Sequence, residues 1–333
     1  MVCVPSCPAE SLPMSEPAVL PTGSAHLPTG SAHAKAILVG EHAAVYGHPA
    51  IALPMTPLRT VAEVHHSPGP LRLSSGDRSF PVTQLPQRFA SVGVATTAAL
   101  DFFNLPAGDL EVAVRSGIPP QAGLGASAAA AHAIVEAIRA HAQLPLDDAS
   151  RFELVQSAER VAHGSPSGID ACATRAREPF VFTGGIPAPL PLGAPVWFVV
   201  ADTGVRASTD EAVAGVRRTV DADPARGSAL LARLGDLTRG AVTDLEGGQL
   251  TTFGERMTAA QQILTELGVG HAMIDQLITA ALGAGAAGAK LTGAGRGGCV
   301  IAAATDTGQA DVIASAMTEA GAVAVWTVMV GTT

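Results

Sequence analysis

Pro119-Pro120-Gln121-Ala122-Gly123-Leu124-Gly125-Ala126-Ser127-Ala128-Ala129-Ala130-Ala131 changes character twice within one short stretch. The two prolines end the run Leu110 to Arg115, whose apolar residues alternate as in a strand, and force an extended turn. Two glycines, a hydroxyl and a run of alanines follow, and the alanines predict a helix from about Ala128 to His141. Gly123 and Gly125 let backbone N–H groups approach a ligand closely. Ser127 stands at the helix start, where unpaired N–H groups and the positive end of the dipole face outward. This is an anion site suited to phosphate. The plainer alternative is a serine N-cap after a glycine turn, and the rest of the chain has to decide between them.

The 333 residues are enough for two domains with full cores. Apolar residues make up 47% and charged residues 15%, which predicts a soluble globular chain, and no apolar run reaches membrane-span length. A net charge of −9 argues against nucleic acid or an anionic membrane as partner. Of the 20 basic residues 18 are arginine, leaving only Lys35 and Lys290. Arginine is a permanently charged fork and lysine a compact charge with an adjustable pKa, so at least one of these lysines is expected to serve chemistry. Cys3, Cys7, Cys172 and Cys299 have no metal or redox spacing, and residues 1–15 lack a basic start and an apolar core. The expectation is a cytoplasmic chain with unpaired thiols.

Residues 1–30 are rich in Pro, Ser and Ala and read as a disordered extension containing a tandem repeat, Leu20–His26 and Leu27–His33. Ser31 to His33 are assigned to the first strand. In His33-Ala34-Lys35-Ala36-Ile37-Leu38-Val39-Gly40-Glu41-His42, Ile37–Val39 read as a short buried strand. Lys35 is either a snorkelling surface residue or a functional cation, and Glu41-His42 either a solvated turn or an acid–base pair. Further strands are expected near Ile51–Leu53, Arg59–Val64 and Leu71–Leu73, and a helix near Arg88–Phe103.

Over Ser150–His163, a pitch of 100° per residue places Phe152, Leu154, Val155, Ala158, Val161 and Ala162 on one half of a helix. Glu159 falls in that half, where a carboxylate needs an arginine partner or a cation. The loop His163-Gly164-Ser165-Pro166-Ser167-Gly168-Ile169-Asp170 then presents Asp170 at its exit, as a functional carboxylate or an N-cap. The chain resets at Pro187–Pro195. Val196–Ala201 reads as a buried strand leading to Asp202-Thr203 and Ser208-Thr209. Helices are expected over Asp210–Val220, Ser228–Glu246, Thr251–Leu267 and Met273–Leu282. Lys290-Leu291-Thr292-Gly293-Ala294-Gly295-Arg296-Gly297-Gly298-Cys299 holds more glycines than a hairpin turn needs. Gly283-Ala284-Gly285-Ala286-Ala287-Gly288 imitates a dinucleotide fingerprint but follows a helix, and no Walker motif is present.

Taken together, these motifs resemble those of the GHMP kinases, and within them the mevalonate kinase branch. The glycine stretch is similar to the family's second motif, Lys35–Gly47 to the first and Lys290–Cys299 to the third. His163–Asp170 and Asp202–Thr209 are similar to segments of the mevalonate branch. His33-Ala34 replace a usual Pro-Gly, Ala126 a serine, and Arg296 a frequent glycine, where it either restricts the loop or touches phosphate. The resemblance implies an α+β, two-lobed fold with the active site in the cleft between lobes. It divides the chain into a 1–30 extension, a 31–190 N-terminal domain and a 191–333 C-terminal domain, in a homodimer. It further implies ATP- and Mg²⁺-dependent phosphorylation of the terminal hydroxyl of mevalonate. Asp170 and Lys35 would be catalytic. Pro120, Gly123, Leu124, Gly125, Ala126, Ser127 and Ala128 would bind ATP, and Ser127 and Glu159 would hold Mg²⁺. Glu41, His42, Thr209, Gly293 and Ala294 would face mevalonate. Phosphomevalonate kinase is the nearest alternative; the absence of extra basic residues near Glu41-His42 and the charge of Asp202 count against it. A catalytically silent homologue would have no need of Lys35, Ser127, Glu159 and Asp170 together.

Overall fold

A computed structural model describes residues 27–331. The chain builds two sheets in succession. The first contains β1 (Thr29–Val39), β2 (Ala50–Pro70), β3 (Arg72–Ser75), β4 (Arg78–Pro81), β5 (Gly108–Ser116), β6 (Phe180–Thr183) and β7 (Ile186–Pro189). Their order is β4-β3-β5-β2-β6-β7, with β1 paired to β2. All pairs are antiparallel except β3 with β5. Three helices cover this sheet: α1 (Ala90–Phe102), α2 (Ala126–Ala142) and α3 (Asp148–His163). Leu100, Val112, Ile134, Ile138 and Val155 form the core beneath them. The one-turn α4 (Ile169–Ala173) follows α3.

The second sheet runs β11-β8-β10-β9 and is antiparallel throughout: β8 (Val196–Asp202), β9 (Gly288–Thr292), β10 (Cys299–Ala304) and β11 (Ala324–Val330). The strands β8, β9 and β10 are buried almost end to end, which is why they read as continuous apolar runs. The helices of this half are α5 (Thr209–Ala222), α6 (Pro224–Glu246), α7 (Leu250–Glu266), α8 (Ala272–Gly283) and α9 (Thr307–Glu319). Phe198 of β8 meets Phe253 of α7 edge-on, with ring centroids 6.1 Å apart. The halves join at β1 and β9: the Thr292 hydroxyl donates to the Ile37 carbonyl (3.0 Å) and accepts from the Ile37 amide (2.8 Å). Leu38 and Leu53 belong to the same apolar core as Phe198 and Phe253.

Several expectations change. The strand expected over Ile37–Val39 is the end of an eleven-residue β1 that begins at Thr29. Thr29 and Gly30, assigned to the extension, are therefore strand residues, whereas the first repeat copy lies outside the described residues. The strands expected at Ile51–Leu53 and Arg59–Val64 are one strand, β2. The register jumps from Met55 to Arg59 opposite Ala34 and His33, so the exposed Thr56-Pro57 between the two stretches are accommodated in a bulge. On α3, Val161 is 46% exposed rather than inward, while Arg151 and Gln156 are buried. Arg151 turns in because Glu136 of α2 pairs with it. The glycine-rich 293–298 segment does join a hairpin, β9–β10.

Candidate active site

Lys35 sits on β1, which pairs with β2 and is covered by α2, and the residue is only 5% exposed. It does not snorkel. Its Nζ lies 3.1 Å from Oδ1 of Asp170. The backbone of Lys35 donates to the Leu124 carbonyl (3.0 Å), placing the glycine loop directly on the lysine. Gly125 has φ +72, and a Cβ there would come 2.9 Å from Cγ of Lys35 and 3.0 Å from Cγ2 of Thr174. Glycine is required for both reasons.

Gly125 is the N-cap of α2, and no side chain caps that helix. Ser127 lies one residue inside the helix and is not the cap; its Oγ is 3.4 Å from Nε2 of His163. The first-turn N–H groups around Ala126, Ser127 and Ala128 thus have no side-chain acceptor, which fits a phosphate-binding helix end following Pro120, Gly123 and Leu124.

Glu159 is 1% exposed, and its Oε1 has no hydrogen-bond partner. Among the described residues no arginine pairs with it, and Arg151 of the same helix is committed to Glu136. Burial, and then the charge of Asp170, push the Glu159 carboxyl above its ordinary range, while the Ser127 hydroxyl and the charges of His163 and Lys35 act the other way. A buried carboxylate with a free oxygen, beside a hydroxyl and a second carboxylate, suits a hard divalent cation. Among the described residues no three His, Cys, Asp or Glu converge as a metal cluster. Mg²⁺ does not need one, since it is usually held by one or two carboxylates together with substrate phosphates.

Asp170 does not cap α4; Gly168 does, and Asp170 occupies the first turn. His163, at the end of α3, also reaches Asp210 of α5, with Nδ1 3.6 Å from Oδ1. Thr209, the first residue of α5, follows Ser208, whose hydroxyl caps the helix by accepting from the Glu211 amide.

Glu41 and His42 are buried rather than a solvated turn. His42 adopts a left-handed φ of 61°. Its Nε2 donates to the Ala294 carbonyl (2.9 Å), and burial lowers its pKa to about 4, so the ring is neutral. Glu41 is ion-paired with Lys290, whose Nζ also donates to the Leu291 carbonyl at 2.6 Å. Burial pushes the Glu41 carboxyl up and the Lys290 ammonium down, opposed in each case by the partner's charge. Sequence reasoning singled out both segments but not this pair; the scarcity of lysine was the only hint. It also missed the Arg206 guanidinium, which grips the buried Asp202 through two bonds of 2.7 and 2.8 Å. The charge of Asp202 is therefore compensated and does not discriminate against a phosphorylated substrate. Arg296 restricts its own loop: it has φ +60 and donates from Nε to the Gly268 carbonyl at 3.2 Å.

The described residues thus bring Lys35, Asp170, Glu159 and Ser127 to one edge of the glycine loop. Two family models match the chain, GHMP kinases N terminal domain over residues 90–177 and GHMP kinases C terminal over residues 241–323. The chain is 34% identical to a mevalonate kinase of Pyrococcus horikoshii over 87% of its own length and 92% of that protein's. It is 32% identical to one of Thermococcus gammatolerans over 86% and 92%. Its fold is similar to that of L. major mevalonate kinase in complex with R-mevalonate, with a TM-score of 0.80, 25% identity, and coverage of 95% and 98%. This α+β chain belongs to the GHMP kinases, in the group that contains the mevalonate kinases.

Proposed function

We propose that the chain transfers the γ-phosphoryl group of ATP to the terminal hydroxyl of mevalonate, giving the 5-phosphate. The observation that carries this reading is the Lys35–Asp170 pair, 3.1 Å apart beside the glycine loop. The likeness to curated mevalonate kinases over most of the chain supplies the substrate. By the same likeness, the reading includes a cytoplasmic homodimer.

Asp170 accepts the proton of the attacking hydroxyl. Lys35 pairs with Asp170 and stabilises charge on the attacking oxygen and the phosphoryl group. The backbone from Gly123 to Ala128 cradles the phosphates, and Pro120 sets the turn that leads into it. Ser127 and Glu159 would hold Mg²⁺, which when bound would supply positive charge to the phosphates. Glu41, His42, Thr209, Gly293 and Ala294 line the mevalonate side. Phosphoryl transfer rests on positioning and electrostatics, so the protein need supply no nucleophile.

A coupled ADP-release assay with Mg²⁺-ATP tests the reading, offering mevalonate, phosphomevalonate and homoserine separately. Turnover with mevalonate alone is expected. Turnover only with phosphomevalonate would move the enzyme to the alternative substrate while leaving the Lys35–Asp170 chemistry in place.

A further inference from the structure

Lys290 is the second of the two lysines and is 0% exposed, on a strand whose every residue is buried. Burying an ion pair is a poor way to gain stability, since well-packed apolar residues of similar volume usually do as well or better. Here the pair is also incomplete. One Glu41 oxygen takes Lys290, while the other, Oε2, is buried with no hydrogen-bond partner. A buried acceptor left open carries a desolvation cost unless something fills it.

The surroundings show what it could serve. Glu41 adjoins His42, whose ring is bonded to Ala294 in the glycine-rich hairpin that also carries Lys290. Lys35 lies near enough to Glu41 for its charge to act on that carboxylate. The charges therefore alternate from Lys290 through Glu41 and Lys35 to Asp170.

We propose that Lys290 is a positioning residue that acts through Glu41: it aims the carboxylate so that Oε2 accepts a hydroxyl of the alcohol substrate, and it ties the Glu41-His42 loop to the Gly293–Gly298 hairpin. Lys290 itself touches no substrate. This inference rests on the reading of the site as an alcohol kinase.

The test compares Lys290→Met, Glu41→Gln and the matched neutral double variant with the unmodified chain, using whichever alcohol that chain phosphorylates. Thermal unfolding reports whether each variant is folded. In the folded variants KM for the alcohol is expected to rise about tenfold or more, with KM for ATP within about twofold. The double variant should recover thermal stability without recovering the alcohol KM. Recovery of both together would overturn the proposal, because a purely structural pair predicts it. So would an unchanged alcohol KM in folded Lys290→Met, an equal rise for both substrates, or failure of both Lys290 variants to fold. Absence of turnover by the unmodified chain on every alcohol would instead overturn the kinase reading.

Discussion

Gly123 and Gly293 meet backbone to backbone: a Cβ on Gly293 would lie 2.9 Å from Cα and 3.0 Å from the carbonyl oxygen of Gly123. The glycine loop of the first half is thereby braced by the β9–β10 hairpin of the second. Gly293→Ala adds that Cβ at a φ of +87, so the strain is both local and across the contact. KM for ATP is expected to rise about tenfold, since misplacement of a positioning element by about 1 Å can cost up to 10²-fold. Gly283→Ala is the control. It ends α8 with nothing within 4 Å of the added Cβ, so it should leave kinetics unchanged and unfolding unchanged or slightly improved. Steady-state kinetics against ATP and thermal unfolding check both; equal behaviour of the two variants would refute the bracing.

Removing either member of the Lys35–Asp170 pair should act on turnover. Asp170→Ala and Lys35→Ala are each expected to lower kcat by at least roughly 10²-fold, the scale of a lost general base or charge stabiliser. Lys35→Ala should also destabilise the fold more than Asp170→Ala. Lys35 is buried to its tip, whereas the Asp170 side chain is 28% exposed. Near-wild-type kcat in both variants would remove the pair from the mechanism.

How far the residues alone reveal this site depends on the kind of information each carries. The glycine loop, Lys35, Glu159 and Asp170 were legible because their types clash with bland roles: glycines before an alanine helix, a carboxylate on an apolar face, a lysine in an arginine-rich chain. Pairings made across the fold were not legible. Lys290 and Glu41 are 249 positions apart, and no local period connects them. Val161 does not face the core, because a helical wheel gives the pitch but not which neighbour covers each face; the same limit hides the burial of Arg151, which Glu136 on another helix draws inward. Similarly, the two stretches Ile51–Leu53 and Arg59–Val64 read as separate strands until a bulge opposite His33 and Ala34 takes up Thr56 and Pro57.

Glu159 should trade stability for function. Its Oε1 is buried and unpartnered, and burial and Asp170 both oppose its charge. Glu159→Gln keeps the shape and removes that charge, so the protein without nucleotide should gain about 1 kcal/mol of stability. The same change removes a hard oxygen anion from the proposed Mg²⁺ position, raising the Mg²⁺ concentration needed for half-maximal turnover by about tenfold or more. Unfolding without ligand and a Mg²⁺ titration of activity measure the two effects. A loss of stability with unchanged Mg²⁺ dependence would mean that Glu159 is a structural carboxylate.

The buried histidines predict how stability depends on pH. His132 on α2 bonds the Ala171 carbonyl through Nε2 (2.7 Å), and its Nδ1 has no partner. Burial, opposed by that bond and reinforced by Arg151, Arg175 and His33, lowers its pKa to about 4, as burial does for His42. Between that value and the unfolded value of about 6.5 the unfolded chain binds more protons, so stability is fully present above pH 6.5 and is lost as pH falls toward 4. Each ring accounts for at most about 3.5 kcal/mol over that interval, at about 1.4 kcal/mol per pKa unit. The raised carboxyls of Glu41 and Glu159 act in the opposite sense, because the folded chain takes up those protons first. His132→Gln keeps a donor for Ala171 and removes the titration. Stability measured by chemical denaturation from pH 7.5 down to 4.5 should therefore fall less steeply in the variant, by up to one proton's share. An unchanged slope would show that His132 is protonated in the folded protein over the same range as in the unfolded chain.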